Sequence, residues 1–99
     1  MSTGAKTVVT PIGTGVALTT ASVSIVGQNL TRRAIMFHNR SLTLNIEIAP
    51  APIVAGNAGS ILILAGGFSP VFSDEIRATC AWNGHMVSGT GDVSILEWQ

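Results

Sequence analysis

With 99 residues, 46% of them apolar, and a mean hydropathy of +0.49, the chain has the length of one domain and no room for a second. Charged residues make up 10%, against about 25% in an ordinary soluble domain, and five acids cancel five bases. That balance disfavours nucleic acid and anionic membrane surfaces, which call for clustered Lys and Arg, and points to a chain that buries part of its exterior in an assembly.

The N-terminal segment is rich in Thr and Gly, and no apolar run of signal-peptide length forms in it before Pro11 and Gly13. Residues 1–15 are expected to be a flexible arm that orders on a neighbouring subunit or remains a tail, and residues 16–99 the folded domain. Within that domain apolar residues alternate with small polar ones, and no segment holds a helical stripe, so helix should be nearly absent. Val16, Leu18 and the run Ser22 to Val26 read as one strand or two.

Ala34 to His38 is a strand, and Asn39-Arg40-Ser41 supplies turn residues for a hairpin to the next one. That next strand, Leu42 to Ile48, has the clearest pattern: Leu42, Leu44, Ile46 and Ile48 alternate with Thr43, Asn45 and Glu47. Ala49 to Ser60 carries Pro50, Pro52, Gly56, Asn57 and Gly59 and reads as a long connection. Ile61 to Leu64 is a short strand ended by Gly66-Gly67, and Phe68 to Phe72, with Pro70, lies on an edge or bends.

Ile76 to Trp82 and Val93 to Trp98 complete the set, separated by turns at Asn83-Gly84 and Gly89-Thr90-Gly91. Seven or eight short strands without helices between them suggest an all-β fold, an antiparallel sandwich or jelly roll. The charge-free stretch from Ile48 to Ser73 is long enough to cross a bilayer, but its prolines and glycines would leave backbone polar groups unpaired in lipid. No membrane span is expected.

Chemistry-bearing residues are few and scattered. Cys80 is the one cysteine and cannot form an internal disulfide; it reads as a buried thiol, since no matched base marks it as a nucleophile. His38, His85, Asp74, Glu75 and Asp92 occur singly, without metal-ligand spacing, so no metal and no cofactor is expected. His38 reads as a structural or interface residue and His85 as a solvated loop residue, while Asp74-Glu75 would point to opposite faces of a strand and reads as charged turn residues. Gly13-Thr14-Gly15 and Gly89-Thr90-Gly91 lack a following helix and a Gly-Lys-Ser/Thr continuation, and read as turns. Asn29-Leu30-Thr31 and Asn39-Arg40-Ser41 match the glycosylation acceptor pattern, which matters only in a secreted protein.

Arg32, Arg33 and Arg40 with Glu47 form the one dense charge cluster, either a solvated strand end or a set of intersubunit ion pairs. Trp82 and Trp98 are core or interface residues by size, Trp98 docking on its own sheet or against a neighbour.

The order Arg32-Arg33, a strand to Asn39-Arg40-Ser41, the alternating strand Leu42 to Ile48, Leu64-Ala65-Gly66-Gly67-Phe68, Ile76-Arg77-Ala78 leading to Trp82, and Val93 to Glu97 resembles the small virion proteins of tailed bacteriophages. The resemblance spans Ser22 to Trp98. It implies a compact β domain that serves as a capsid decoration (cement) protein or a head-fibre or tail component. It also implies a homotrimer bound to the major capsid protein, on a virion made in the host bacterial cytoplasm.

The function expected is therefore non-enzymatic: a decoration protein that stabilises the head shell through multivalent contacts. Contact residues would be Lys6, Thr7, Val8 and Val9 of the arm, the cluster Arg32, Arg33 and Arg40, the loop residues Ile53 and Val54, and Trp98. The alternative is a carbohydrate- or receptor-binding module, with Trp82, Asn83 and His85 as its ligand patch.

Overall fold

The computed structural model describes residues 11–99; the arm residues Lys6, Thr7, Val8 and Val9 lie outside the described part. Seven strands and one short helix follow in the order β1 (Pro11–Leu18), β2 (Val23–Val26), β3 (Ala34–Asn39), β4 (Ile46–Pro50), β5 (Ile61–Ile63), α1 (Glu75–Thr79), β6 (Trp82–Met86) and β7 (Gly91–Trp98). Two antiparallel sheets result, one in the order β1-β7-β3 and the other β2-β6-β4-β5. The run 68–72 lies beside β3 and touches it through single antiparallel bridges, Phe68 to His38 and Phe72 to Ile35. Proline at position 70 explains the interruption, because it has no N–H for a ladder.

Pairing is nested. β1 pairs with β7, β2 with β6, β3 with the run 68–72, and β4 with β5. A chain doubled back and rolled up in this way is an all-β sandwich with jelly-roll connectivity. Between the sheets lie Leu18, Ile35, Phe37, Ile46, Ile48, Ile63, Phe72, Trp82, Met86, Val93 and Ile95. Trp82 is the centre of an aromatic trio, its ring centroid 5.0 Å from Phe37 and 4.9 Å from Phe72.

Several expected boundaries move, each for a local reason. The strand expected from Leu42 begins only at Ile46, and Leu42 is 85% exposed. Asn39 and Ser41 occupy the backbone there: Asn39 Nδ2 donates to the carbonyls of Leu44 (2.8 Å), Ile63 (3.2 Å) and Leu64 (3.2 Å), and Ser41 Oγ accepts from the Leu44 N–H (3.0 Å). Side-chain bonds of this kind compete with a ladder, and here they turn the chain from one sheet to the other. Consequently no hairpin joins β3 to β4; β3 pairs with β7, and β4 with β5 and β6.

The strand expected from Ile76 to Trp82 is instead α1 followed by β6. Asp74, expected in a turn, caps that helix by accepting from the Arg77 N–H (3.0 Å) and pairing with Arg77 Nε (2.7 Å). Asn83 and Gly84, expected to turn, are inside β6. Gly84 is buried under Ile25, whose carbons lie 3.2 Å from where its Cβ would be, so the glycine marks a close approach rather than a turn. Gly13 and Gly15 lie in β1, and residues 11–15, assigned to the arm, belong to the sandwich. Of the Gly89-Thr90-Gly91 turn, Gly91 already opens β7, while Gly89 has φ +67, a left-handed conformation natural to glycine.

Candidate interaction surface

Two polar clusters, around Arg32 and around His85, tie the sandwich together. The first lies inside. Arg32 is buried with all three guanidinium nitrogens bonded: Nε donates to Glu97 Oε1 (2.7 Å), Nη1 to the carbonyls of Ala78 and Cys80 (both 3.1 Å), and Nη2 to the carbonyl of Gly27 (2.8 Å). One side chain thereby ties β7, the end of α1 and the segment after β2. Arg32 is thus withdrawn from the contact residues, because a buried fork with all its partners inside the chain has none to offer a neighbour.

The charge cluster is not formed. Arg33 and Arg40 are both exposed, but they flank opposite ends of β3, about 23 Å apart at strand rise. Glu47 pairs with His85, whose Nε2 lies 2.9 Å from its Oε1 while Nδ1 lies 3.0 Å from the carbonyl oxygen of Thr20. His85 is therefore a half-buried residue of β6, not a solvated loop residue. Burial lowers its proton affinity, but the bonds to Glu47 and Thr20 and the charge of Glu47 outweigh burial and hold its pKa above the ordinary value. Both ring nitrogens face oxygen acceptors, so the doubly protonated ring satisfies both contacts.

Trp82, first of the alternative ligand patch, is fully buried, and its Nε1 donates to the Arg77 carbonyl (3.0 Å). No ring is left to stack on a sugar there, and Asn83 is likewise engaged, donating through Nδ2 to the Ile53 carbonyl (2.8 Å). Ile53 is half-buried and Val54 exposed. Cys80 is half-buried beside the Arg77 carbonyl, and burial pushes its thiol pKa up, away from nucleophile chemistry. Among the described residues no three His, Cys, Asp or Glu side chains gather as metal ligands, and no helix is long and apolar enough to cross a membrane.

What remains is the outer face of the β1-β7-β3 sheet. Register places Pro11, Trp98 and Ala34 in one row, Gly13, Leu96 and Met36 in the next, and Gly15, Ser94 and His38 in a third. Alternation turns these rows away from Ile35, Phe37, Val93 and Ile95, which are in the core. His38 stacks on Phe68 with centroids 4.1 Å apart and planes 11° from parallel, and Phe68 is itself 64% exposed. A shallow groove of about 190 Å³ runs between Gly13, Met36, His38, Phe68 and Leu96. Leu64 and Leu42 are also exposed. Trp98 is half-buried at the end of this face, in line with Pro11 and Ala34.

The doublet Arg32-Arg33 hid one inward and one outward residue. A signal for that was present: in the closing strand Val93, Ile95 and Glu97 share a parity, which places Glu97 on the core side and requires a buried base to meet it.

No family model matches the chain, and no curated protein matches it. Among solved structures, a chain from the work described as "Bacillus endospore appendages form a novel family of disulfide-linked pili" aligns over 100% of this chain and 96% of its own. Its identity to this chain is 13% and its TM-score 0.44.

Proposed function

We propose that this protein is a non-catalytic structural subunit of a tailed-bacteriophage virion, a decoration protein that binds the major capsid protein and stabilises the head shell. The supporting observation is the outer face of the β1-β7-β3 sheet, where Met36, Leu96, Trp98, His38 and the exposed Phe68 form an apolar surface and Asp92, opposite Ala17, brings charge only into the end row. Contiguous apolar surface on a soluble domain marks a contact site, and a shell presents each copy with the same contact many times, so modest contacts add through multivalency. Of the contact residues named from the sequence that lie in the described part, Arg33, Arg40, Ile53, Val54 and Trp98 remain available on this reading.

The deciding experiment is the copy number of this chain in purified particles, measured by quantitative mass spectrometry against the major shell protein. Hundreds of copies support a lattice-covering decoration protein. A handful to a few tens would shift the reading to a fibre, vertex or tail component, and absence from particles would overturn it.

A further inference from the structure

Among the described residues β1 is an eight-residue edge strand, paired with β7 on one side. Exposed strand edges are templates for pairing, and proteins blunt them with charges, bulges or short lengths. β1 carries no charge, its register with β7 is unbroken from Pro11↔Trp98 to Leu18↔Gly91, and its one proline, also a blunting residue, stands at the first position and leaves the stretch from Ile12 to Leu18 without one.

Hydrogen-bond direction along the strand follows from bonds made elsewhere in the same sheet. Ile35, Phe37 and Asn39 of β3 bond outward to the 67–72 run, and Arg40 N–H donates to the Asp92 carbonyl of β7. Antiparallel alternation then points the even residues of β3 at β7, the odd residues of β7 at β1, and Ile12, Thr14 and Val16 of β1 back at β7. The free edge is left with the N–H and C=O groups of Gly13, Gly15 and Ala17, together with the Pro11 carbonyl. These four residues carry no side chain larger than a proline ring, and no heavy atom lies within 4 Å of where a Cβ would stand on Gly13 or Gly15. Glycine in a strand marks a place where another backbone can approach closely.

We infer that β1 pairs with β1 of a second copy of this chain, antiparallel about a two-fold axis at Gly15, joining two three-stranded sheets into one of six strands. In that register Gly15 faces Gly15 and Gly13 faces Ala17, so all three free N–H groups on each side find carbonyl partners. Length singles out this occupant. The other sheet ends in β2, four residues with a register shift between Ser24 and Val26, and β5, three residues, while the 68–72 run is interrupted at Pro70. β1 matches itself from Ile12 to Leu18, and a neutral edge meets its copy without repulsion. The apolar outer faces of the two copies become continuous across the joint. This contact is two-fold, where the resemblance to phage virion proteins implies a three-fold one.

The inference deepens the proposed structural role by specifying how copies join. Its test is sedimentation of the full-length chain over a concentration series, beside Gly15→Lys, with each variant's urea midpoint followed by tryptophan fluorescence. Gly15→Lys sets two like charges opposite one another at the axis, in open space within the monomer.

The expected result is a concentration-dependent dimer that Gly15→Lys weakens by about tenfold or more, with the unfolding midpoint of the monomer unchanged. Gly15→Pro, which removes an outward N–H and no bond to β7, is a second variant expected to weaken the dimer. A monomer at every concentration, a trimer or open series of oligomers, or a dimer indifferent to both substitutions would overturn the pairing. A dimer absent from particles would overturn the virion role alone, and an abundant particle component that is monomeric in solution would overturn the pairing alone.

Discussion

Replacing Arg32 by Met removes the cation that ties β7 to α1 and to the segment after β2, and the structure sets the size of the loss. Glu97 keeps its carboxylate in a side-chain environment only 12% exposed, with its 2.7 Å partner gone. The carbonyls of Gly27, Ala78 and Cys80 lose a donor at the same time. Breaking a buried pair from one side costs about 3–5 kcal/mol, against a whole-domain stability of roughly 5–15 kcal/mol.

With a urea m-value of about 2 kcal/mol/M for a domain of this size, the midpoint should fall by about 2 M. Tryptophan emission reads it well, since Trp82 is buried in the native state. Glu97→Gln is the informative comparison: it leaves the Arg32 cation buried without its counter-charge, so a loss of the same order, about 3–5 kcal/mol, is expected. A midpoint within about 0.5 M of the parent for either variant would refute the assignment of Arg32 as the interior tie.

Three further outcomes are expected. His85 has a folded-state pKa raised above the unfolded value near 6.5, so its contribution is fully present below that value and is lost as pH rises through the folded pKa. Unfolding midpoints measured from pH 6 to 9 should decline on that account, and His85→Gln should flatten the decline; an unchanged profile in the variant would show that the Glu47 contact carries no proton linkage. Asn39→Ala strips donors from the carbonyls of Leu44, Ile63 and Leu64 and should destabilise by about 1–3 kcal/mol, read as a urea midpoint shift whose absence would mean water replaces the amide. Cys80, its thiol pKa raised chiefly by burial, should react with a disulfide reagent at pH 8 more slowly in the native chain than in urea. Equal rates would contradict the half-buried thiol.

Period-two alternation identified β3 and β7 because each presents one face to a single core: Ile35, Phe37 and Asn39 inward, Val93, Ile95 and Glu97 inward. Leu42 to Ile48 misled for the same reason that it looked clear. Its alternation runs on through a crossover, and what breaks the strand is the reach of Asn39 across to Leu44, Ile63 and Leu64, a contact that spacing along the chain does not encode. At Ile76 to Trp82 the deciding residue was in view, since Asp74 followed by Glu75 is a helix start. Ile76, Ala78, Cys80 and Trp82 stand at alternate positions as in a strand, although α1 needs only one turn to carry Ala78 into the interior.

The N-terminal boundary failed on different grounds. Glycine is a weak strand former and the span 11–15 has little hydrophobic signal, so it reads as an arm although it belongs to an unbroken ladder to β7. β1 is a strand because β7 makes it one, through backbone groups that every residue except Pro11 possesses alike. The features that hide it from a pattern search, glycine at positions 13 and 15 and a complete lack of charge, are also those that leave its outer edge bare among the described residues. In this chain the stretch hardest to read from sequence is therefore the one best suited to meet another copy.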